Sequence, residues 1–183
     1  SKEVLNKMHG IYHYSDGSGI CHASYLRPLL NLKVGYLTFG ASTCSGLRHF
    51  QADSHLISWL NFENIKFDIL TDEEIHNEQF EALKKYKTVM TTTHPEYHTK
   101  ETLNSFHKFK ENGGNLIYLG GNGFYWKVCL NKENSKIVEI RRAEDGIRAW
   151  ASEPGEYYNA FDGSYGGLWT VSYTHLTLPT IDP

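Results

Sequence analysis

Two polar stretches could carry chemistry, because each directly follows a short apolar run that is typical of a β-strand. These stretches are Thr93-His94-Pro95-Glu96-Tyr97 and Gly120-Gly121-Asn122-Gly123. Loops that follow the strands of a parallel α/β sheet meet in one crevice, where ligands bind. We therefore expect an imidazole, a carboxylate, a phenol and an amide to converge on one site.

The first stretch combines a metal-ligating residue type with a rigid backbone. Pro95 restricts His94 to an extended conformation, which holds His94 and Glu96 at the mouth of the sheet. Glu96 could bind a hard metal ion or act as a base, with His94 beside it. The alternative is structural: Glu96 would favour the positive end of the following helix, and His94 would be a surface loop residue.

The second stretch is rich in glycine. Glycines after a strand permit positive φ angles or a close approach of the backbone to a ligand. Asn122 could form a hydrogen bond in the crevice, or it could simply occupy the left-handed position of a structural turn. The pattern is not the dinucleotide fingerprint, which requires G-x-G-x-x-G at the start of a helix.

A third candidate lies near the N-terminus, where Tyr12, His13, Tyr14 and Asp16 cluster around glycines. A tyrosine phenolate binds ferric iron, and a metal stabilises the phenolate well below its free pKa of about 10. The alternative is a tyrosine-rich loop that packs on the domain. A fourth candidate is Cys44, whose surroundings weakly resemble a nucleophile elbow and could form a thiol amidase with His94 and Glu96.

Bulk composition excludes several classes of function. The 183 residues suit one domain, and the net charge of -3 gives no whole-chain case for binding nucleic acid or an anionic membrane. The apolar runs are too short to span a bilayer, and the first residues do not form a signal peptide. Three cysteines without a C-x-x-C pair argue against a disulfide framework and a zinc-thiolate site, and favour a reducing, cytoplasmic location.

Hydrophobic periodicity predicts alternating strands and helices. Strands are predicted over residues 34–39, 66–70, 88–92 and 115–119, and helices over residues 47–62, 73–86 and 100–111. Thr71 or Asp72 would cap the second helix and Thr99 the third, which Asn112-Gly113-Gly114 would stop. This β-α-β-α-β order favours a three-layer α/β domain with a parallel sheet, either flavodoxin-like or similar to class I glutamine amidotransferases.

The remaining residues fit this pattern less well. The segments before residue 34 and after residue 126 read as long loops, with a possible strand at residues 136–140. Residues 1–170 are predicted to form a single α/β domain that is a fragment of a larger subunit. Residues 171–183 do not continue the pattern, and we expect a non-native or disordered tail there.

Several motifs in combination resemble the large (β) subunit of N,N-dimethylformamidase, over about residues 10–169. The motifs are Tyr14-Ser15-Asp16-Gly17-Ser18-Gly19, Leu26-Arg27-Pro28, Ser45-Gly46-Leu47-Arg48, Ala52-Asp53-Ser54-His55-Leu56, His94-Pro95-Glu96-Tyr97, Leu119-Gly120-Gly121-Asn122-Gly123-Phe124-Tyr125-Trp126, Arg148-Ala149-Trp150 and Glu153-Pro154-Gly155-Glu156. The combination is specific, although each motif alone is not.

This resemblance implies hydrolysis of a small amide, with dimethylformamide giving formate and dimethylamine. It implies a mononuclear Fe(III) ion held by two tyrosines and one glutamate, here Glu96. Tyr12 and Tyr14 both fit one tyrosine ligand, with Tyr12 preferred. His94 and Asn122 would support the ligands and the substrate through hydrogen bonds, and a basic residue of the site would correspond to Arg142.

The resemblance also implies that parts of the site lie outside this chain. The other tyrosine ligand would precede Ser1, and a further catalytic acid would lie downstream of the matching region. The chain alone would then be inactive, and a small partner subunit and a homo-oligomeric assembly are implied. The aromatic residues Phe124, Tyr125 and Trp126 would accept the N-methyl groups. The competing hypotheses are a non-catalytic, glutaminase-like domain that binds a ligand or partner, and the Cys44-dependent amidase.

Overall fold

The structure is a computed structural model, and it describes residues 20–26, 49–134, 136–142 and 157–169. Its helices are Phe50–Phe62 (α1), Asp72–Glu78 (α2), Phe80–Leu83 (α3) and Lys100–Glu111 (α4). Its strands are His22–Ser24 (β1), Thr88–Met90 (β2), Tyr97–His98 (β3), Asn115–Ile117 (β4), Trp126–Lys127 (β5), Cys129–Leu130 (β6) and Ile137–Glu139 (β7). None of the described helices combines the length and the apolar sequence that crossing a bilayer requires.

The predicted helix caps at Thr71 and Thr99 and the predicted end of α4 are where the sequence placed them. Thr71 begins α2 with a capping box, in which its hydroxyl accepts the Glu74 amide while the Glu74 carboxylate accepts the Thr71 amide. Thr99 caps α4 by accepting the Thr102 amide at 3.2 Å. Gly113, with a φ of 83°, ends α4 by the left-handed conformation that glycine adopts without strain. The predicted third helix and both predicted caps are therefore confirmed.

Two predicted elements are wrong. The helix expected over residues 73–86 breaks at Gln79, whose φ of 54° and ψ of -134° are incompatible with a helix, and it becomes α2 and α3. Residues 66–70 form no strand, because a strand needs a ladder partner and this segment has none among the described residues. The segment is tied by side chains instead, since Asp68 accepts a hydrogen bond from the Tyr86 hydroxyl at 2.6 Å.

The described strands form three small sheets. Strands β2 and β4 pair in parallel, and so do β3 and β5, whereas β7 lies between β1 and β6 in an antiparallel sheet. The predicted strand near residues 136–140 is confirmed as β7, but β1 and β6 occupy stretches that were predicted as loops. The first predicted strand, residues 34–39, lies outside the described residues, so the three-layer arrangement stays a prediction.

A hydrophobic core joins α2, α3 and α4 to the parallel strand pair β2–β4. Its buried members are Ile75, Leu83, Leu103, Phe106, Phe109 and Trp169. Phe124, which follows the glycine stretch, packs against this core. Burial of each such side chain stabilises the fold by about 1.5–3 kcal/mol, so the loop that carries Phe124 is anchored to the core.

The two polar stretches lie side by side. We call residues 93–97 the HPE loop and residues 120–124 the glycine loop. The Phe124 amide donates to the Pro95 carbonyl at 2.7 Å, and the Gly121 amide donates to the Thr93 carbonyl at 3.3 Å. A Cβ at Gly120 would lie 2.5 Å from the Thr93 carbonyl oxygen, so only glycine permits this approach.

Loss of the capping box should destabilise the protein. Thr71→Ala removes the hydroxyl that accepts the Glu74 amide, and we expect the free energy of unfolding to fall by about 1 kcal/mol. Urea denaturation measures this change. Thr92→Ala is the control, since Thr92 is an exposed threonine outside the helices. Equal losses in both variants would contradict the assigned role of Thr71.

A methyl group at Gly120 should separate the two loops. Gly120→Ala brings a Cβ against backbone atoms of Thr93, which cannot rotate away, and we expect a loss of about 2 kcal/mol in the free energy of unfolding. Gly121→Ala is a matched control, because nothing lies within 4 Å of its added Cβ. Chemical denaturation of both variants tests the contact, and indistinguishable stabilities would refute the close approach.

Candidate functional site

The centre of the site is a contact between His94 and Glu96. His94 Nε2 lies 2.8 Å from Glu96 Oε2, and because a carboxylate only accepts, Nε2 is the donor in this bond. The Glu96 side chain is 11% exposed and the His94 side chain 21%, so the pair is shielded but reachable. The sequence prediction that these two residues lie together is confirmed.

Helix α1 holds the HPE loop from one side. Asp53, in the first turn of α1, accepts hydrogen bonds from both the amide and the hydroxyl of Thr93 at 2.9 Å each. The His49 ring, at the start of the same helix, stacks on the His94 ring with centroids 4.1 Å apart. The residue before His94 and the ring of His94 itself are thereby fixed to one helix.

The residues that follow the glycine loop hold the HPE loop from the other side. The carbonyl of Glu96 accepts the amides of Tyr125 at 3.1 Å and Trp126 at 2.8 Å. Asn122 is exposed and has a φ of 50°, so it occupies the left-handed turn position that was the structural alternative. Its place in the loop beside His94 and Glu96 is compatible with the predicted hydrogen-bonding role, which stays a prediction.

Arg142 reaches the HPE loop through Tyr97. Its Nη2 donates to the Tyr97 hydroxyl at 2.9 Å, and its guanidinium lies 4.4 Å from the centroid of the Trp126 ring. Arg142 is only 3% exposed, and Trp126 is fully buried beneath it. The expectation that Trp126 accepts an N-methyl group is therefore wrong for this conformation, because its ring face is occupied by the guanidinium. Phe124 and Tyr125 are partly exposed.

A second histidine, His98, lies beneath the loop, and the sequence analysis did not single it out. It is 3% exposed, and its Nε2 lies 3.1 Å from the Pro95 carbonyl oxygen. Burial lowers the pKa of His98, an effect that Asp72 and the hydrogen bond to Pro95 oppose. No motif in the sequence distinguishes His98 from the other histidines, because its role depends on rings of Phe106 and Phe124 that lie in other segments.

A mostly apolar cavity of ≈ 380 Å³ lies next to the loop, between the β1–β7–β6 sheet and the starts of α2 and α4. Tyr97 and Thr99 contribute to its wall. His94 and Glu96 are not among the described residues that line it. The cavity is thus a neighbour of the His94–Glu96 pair and shares Tyr97 with it.

Glu96 offers a hard oxygen ligand that suits ferric iron. The contact with His94 engages Oε2, which leaves Oε1 for a metal ion. Within the described ranges, no three His, Cys, Asp or Glu side chains gather as a metal site, so a centre here needs ligands of another type or from elsewhere. Phenolates would meet that need, and Tyr12 and Tyr14 lie outside the described residues.

Cys21 and Cys129 are both buried. Burial and the neighbouring Asp162 raise the pKa of Cys129 to about 12, so its thiol stays protonated at neutral pH and is a poor nucleophile. Cys44, the thiol of the alternative amidase hypothesis, lies outside the described residues.

Comparison of the sequence with known proteins places the chain in a family. Residues 6–177 match the family model described as N,N-dimethylformamidase beta subunit-like, C-terminal. The chain is 35% identical over 153 residues to the N,N-dimethylformamidase beta subunit of Alcaligenes sp, and equally to that of Paracoccus aminophilus. Each alignment covers 83% of this chain and 19% of the relative, so the chain spans about a fifth of the length of these relatives.

The residues of the HPE loop, the glycine loop and Arg142 all lie inside the matched region. The resemblance inferred from the motifs is confirmed by this match. The chain therefore belongs to the family of N,N-dimethylformamidase beta subunit-like proteins, of which it matches the C-terminal part.

Proposed function

We propose that the protein takes part in hydrolysis of the C–N bond of small N-substituted amides, such as conversion of N,N-dimethylformamide to formate and dimethylamine, at a mononuclear Fe(III) site. Membership of the family supports the reaction class. The observation that carries the site is the His94–Glu96 contact, held in a loop that is anchored on both flanks.

Glu96 is the proposed carboxylate ligand, and Tyr12 or Tyr14 the proposed phenolate ligand, with a further tyrosine outside this chain. Two phenolates and a carboxylate balance the charge of Fe(III) and are hard ligands that suit it. When bound, the ion supplies Lewis-acid chemistry, which polarises an amide carbonyl or lowers the pKa of a water molecule.

Three further residues, His94, Asn122 and Arg142, are proposed to orient the carboxylate, the substrate and the HPE loop. His94 donates to Glu96 Oε2 and so fixes the direction of the other carboxylate oxygen. Asn122, exposed in the glycine loop, is proposed to orient water or substrate by hydrogen bonding. Arg142 acts through the Tyr97 hydroxyl, one residue from Glu96, and is proposed as the basic residue that steadies the loop.

The proposed setting is an assembly. The names of the relatives describe a beta subunit, which supports association with other subunits. A smaller partner subunit and further copies of this chain are the proposed members of that assembly. Because the described residues supply one ligand, we propose that catalysis requires the remainder of such an assembly. A cytoplasmic location is proposed, because the sequence has an odd number of cysteines, three, and no C-x-x-C pair.

Removal of the carboxylate should abolish iron binding. We expect Glu96→Ala in the intact protein to lose its iron and the visible tyrosinate-to-iron absorption band, because the remaining ligands hold the ion weakly. Elemental analysis and the absorption spectrum measure both. Glu78→Ala, which changes an exposed glutamate, should keep iron and colour. Unchanged iron content in Glu96→Ala would exclude Glu96 as a ligand.

Thiol reagents should not inhibit the enzyme, whereas iron chelation should. At pH 8 we expect Cys129 to resist iodoacetamide, because its raised pKa of about 12 leaves almost no thiolate. Mass spectrometry locates the modified thiols, and amide hydrolysis is followed in the same samples.

Two other outcomes would favour the alternative functions. If alkylation of Cys44 abolished amide hydrolysis and chelators did not inhibit it, the Cys44-dependent amidase would be favoured instead. No iron and no hydrolysis in the assembled protein would favour the non-catalytic binding domain.

A further inference from the structure

His98 is a buried histidine that joins helix α4 to the site. Its ring lies between Phe106 of α4, at a centroid distance of 5.8 Å, and Phe124 of the glycine loop, at 5.0 Å. Its backbone carbonyl accepts the Val128 amide at 3.0 Å and the Trp169 indole N–H at 3.1 Å. The ring therefore has little freedom to move.

The hydrogen bond from His98 defines its tautomer. Nε2 lies 3.1 Å from the Pro95 carbonyl oxygen, and a carbonyl can only accept, so Nε2 carries the proton. Nδ1 is then an acceptor, and it is buried without a hydrogen-bond partner among the described residues. A buried acceptor without a partner costs stability, so stability alone does not explain a histidine at this position.

The acceptor of this bond, the Pro95 carbonyl, belongs to the peptide group that precedes Glu96. The Pro95–Glu96 peptide plane is held at both of its polar groups, because the Glu96 amide donates to the His94 carbonyl at 2.9 Å and the Pro95 carbonyl is an acceptor. That carbonyl receives two donors, His98 Nε2 from below and the Phe124 amide from the glycine loop. The orientation of this plane sets the direction in which the Glu96 side chain leaves the backbone.

We propose that His98 is a positioning residue, whose Nε2–H bond to the Pro95 carbonyl aims the Glu96 carboxylate at His94 and toward the metal. This inference rests on the proposed function for the metal, but not for the geometry of the loop. The His98 ring packs against Phe106 of α4 and donates to the Pro95 carbonyl, so the position of α4 influences the position of the proposed ligand Glu96.

Three substitutions separate the hydrogen bond from the packing. His98→Gln places an amide N–H near the position of Nε2, whereas His98→Asn places one near the position of Nδ1. His98→Phe keeps the ring volume and removes both nitrogens. We expect His98→Phe to melt within a few degrees of the native protein, because it also removes the buried acceptor that lacks a partner.

The first measurement is iron affinity in the intact protein. We expect His98→Phe and His98→Asn to bind iron at least about tenfold more weakly, as is typical when a residue that orients a ligand is lost. His98→Gln should recover most of that affinity. Native affinity in His98→Phe, or losses that follow the melting temperature equally in all three variants, would overturn the proposal.

The second measurement needs no metal. Hydrogen exchange of the metal-free protein should be faster at residues 120–126 in His98→Phe and His98→Asn than in the native protein, and restored in His98→Gln. Unchanged exchange in every variant would overturn the positioning role. If the native protein binds no iron but the exchange pattern holds, the proposed function fails while the positioning of the loop by His98 stands.

Discussion

Carbonyl oxygens of the HPE loop are held by amides of the glycine loop, and the site depends on this backbone pairing. The HPE loop accepts at the carbonyls of Thr93 and Pro95 from the glycine loop and at the Glu96 carbonyl from the two residues that follow that loop, while the Thr93 amide donates to Asp53. The pairing requires Gly120, since any side chain there would meet the Thr93 carbonyl. Continued along the chain, it becomes the parallel pair β3–β5, so the site is an extension of a sheet.

Buried polar groups tie the rest of the described structure to this pairing. Glu139 is completely buried, and its carboxylate accepts hydrogen bonds from Arg141 and from the amides of Ala160 and Phe161. A buried carboxylate is tolerated only when it is satisfied in this way, so residues 157–169 are fixed against β7. Arg142, three residues after the end of β7, donates separately to the Tyr97 hydroxyl. The Arg142 side chain thereby contacts Tyr97, the residue that follows Glu96, from a position 45 residues later in the sequence.

In the proposed site, the roles are divided between segments that lie far apart in the sequence. The described part of the chain provides one carboxylate, its histidine donor and the scaffold that orients both. Phenolate ligands, if present as proposed, come from segments far away in sequence. A site divided in this way binds metal only when the segments are assembled, which couples metal binding to folding. The family match over about a fifth of the relatives is consistent with such a division.

Local sequence determined the helix α4 with its Thr99 cap and glycine stop, the parallel strands around it, and the meeting of residues 93–97 with residues 120–124. These features follow from periodicity, capping chemistry and strand order, which neighbouring residues encode. Sequence could not foresee the break at Gln79, the absence of a strand at residues 66–70, or the bonds that His98 and Arg142 make. The Arg142 bond joins residues 45 positions apart in sequence, and the His98 ring is placed for its bond to Pro95 by contacts with Phe106 and Phe124. Only the tertiary structure decides such pairings, because a hydrogen bond between distant segments is specified by how the whole core packs and not by either segment alone.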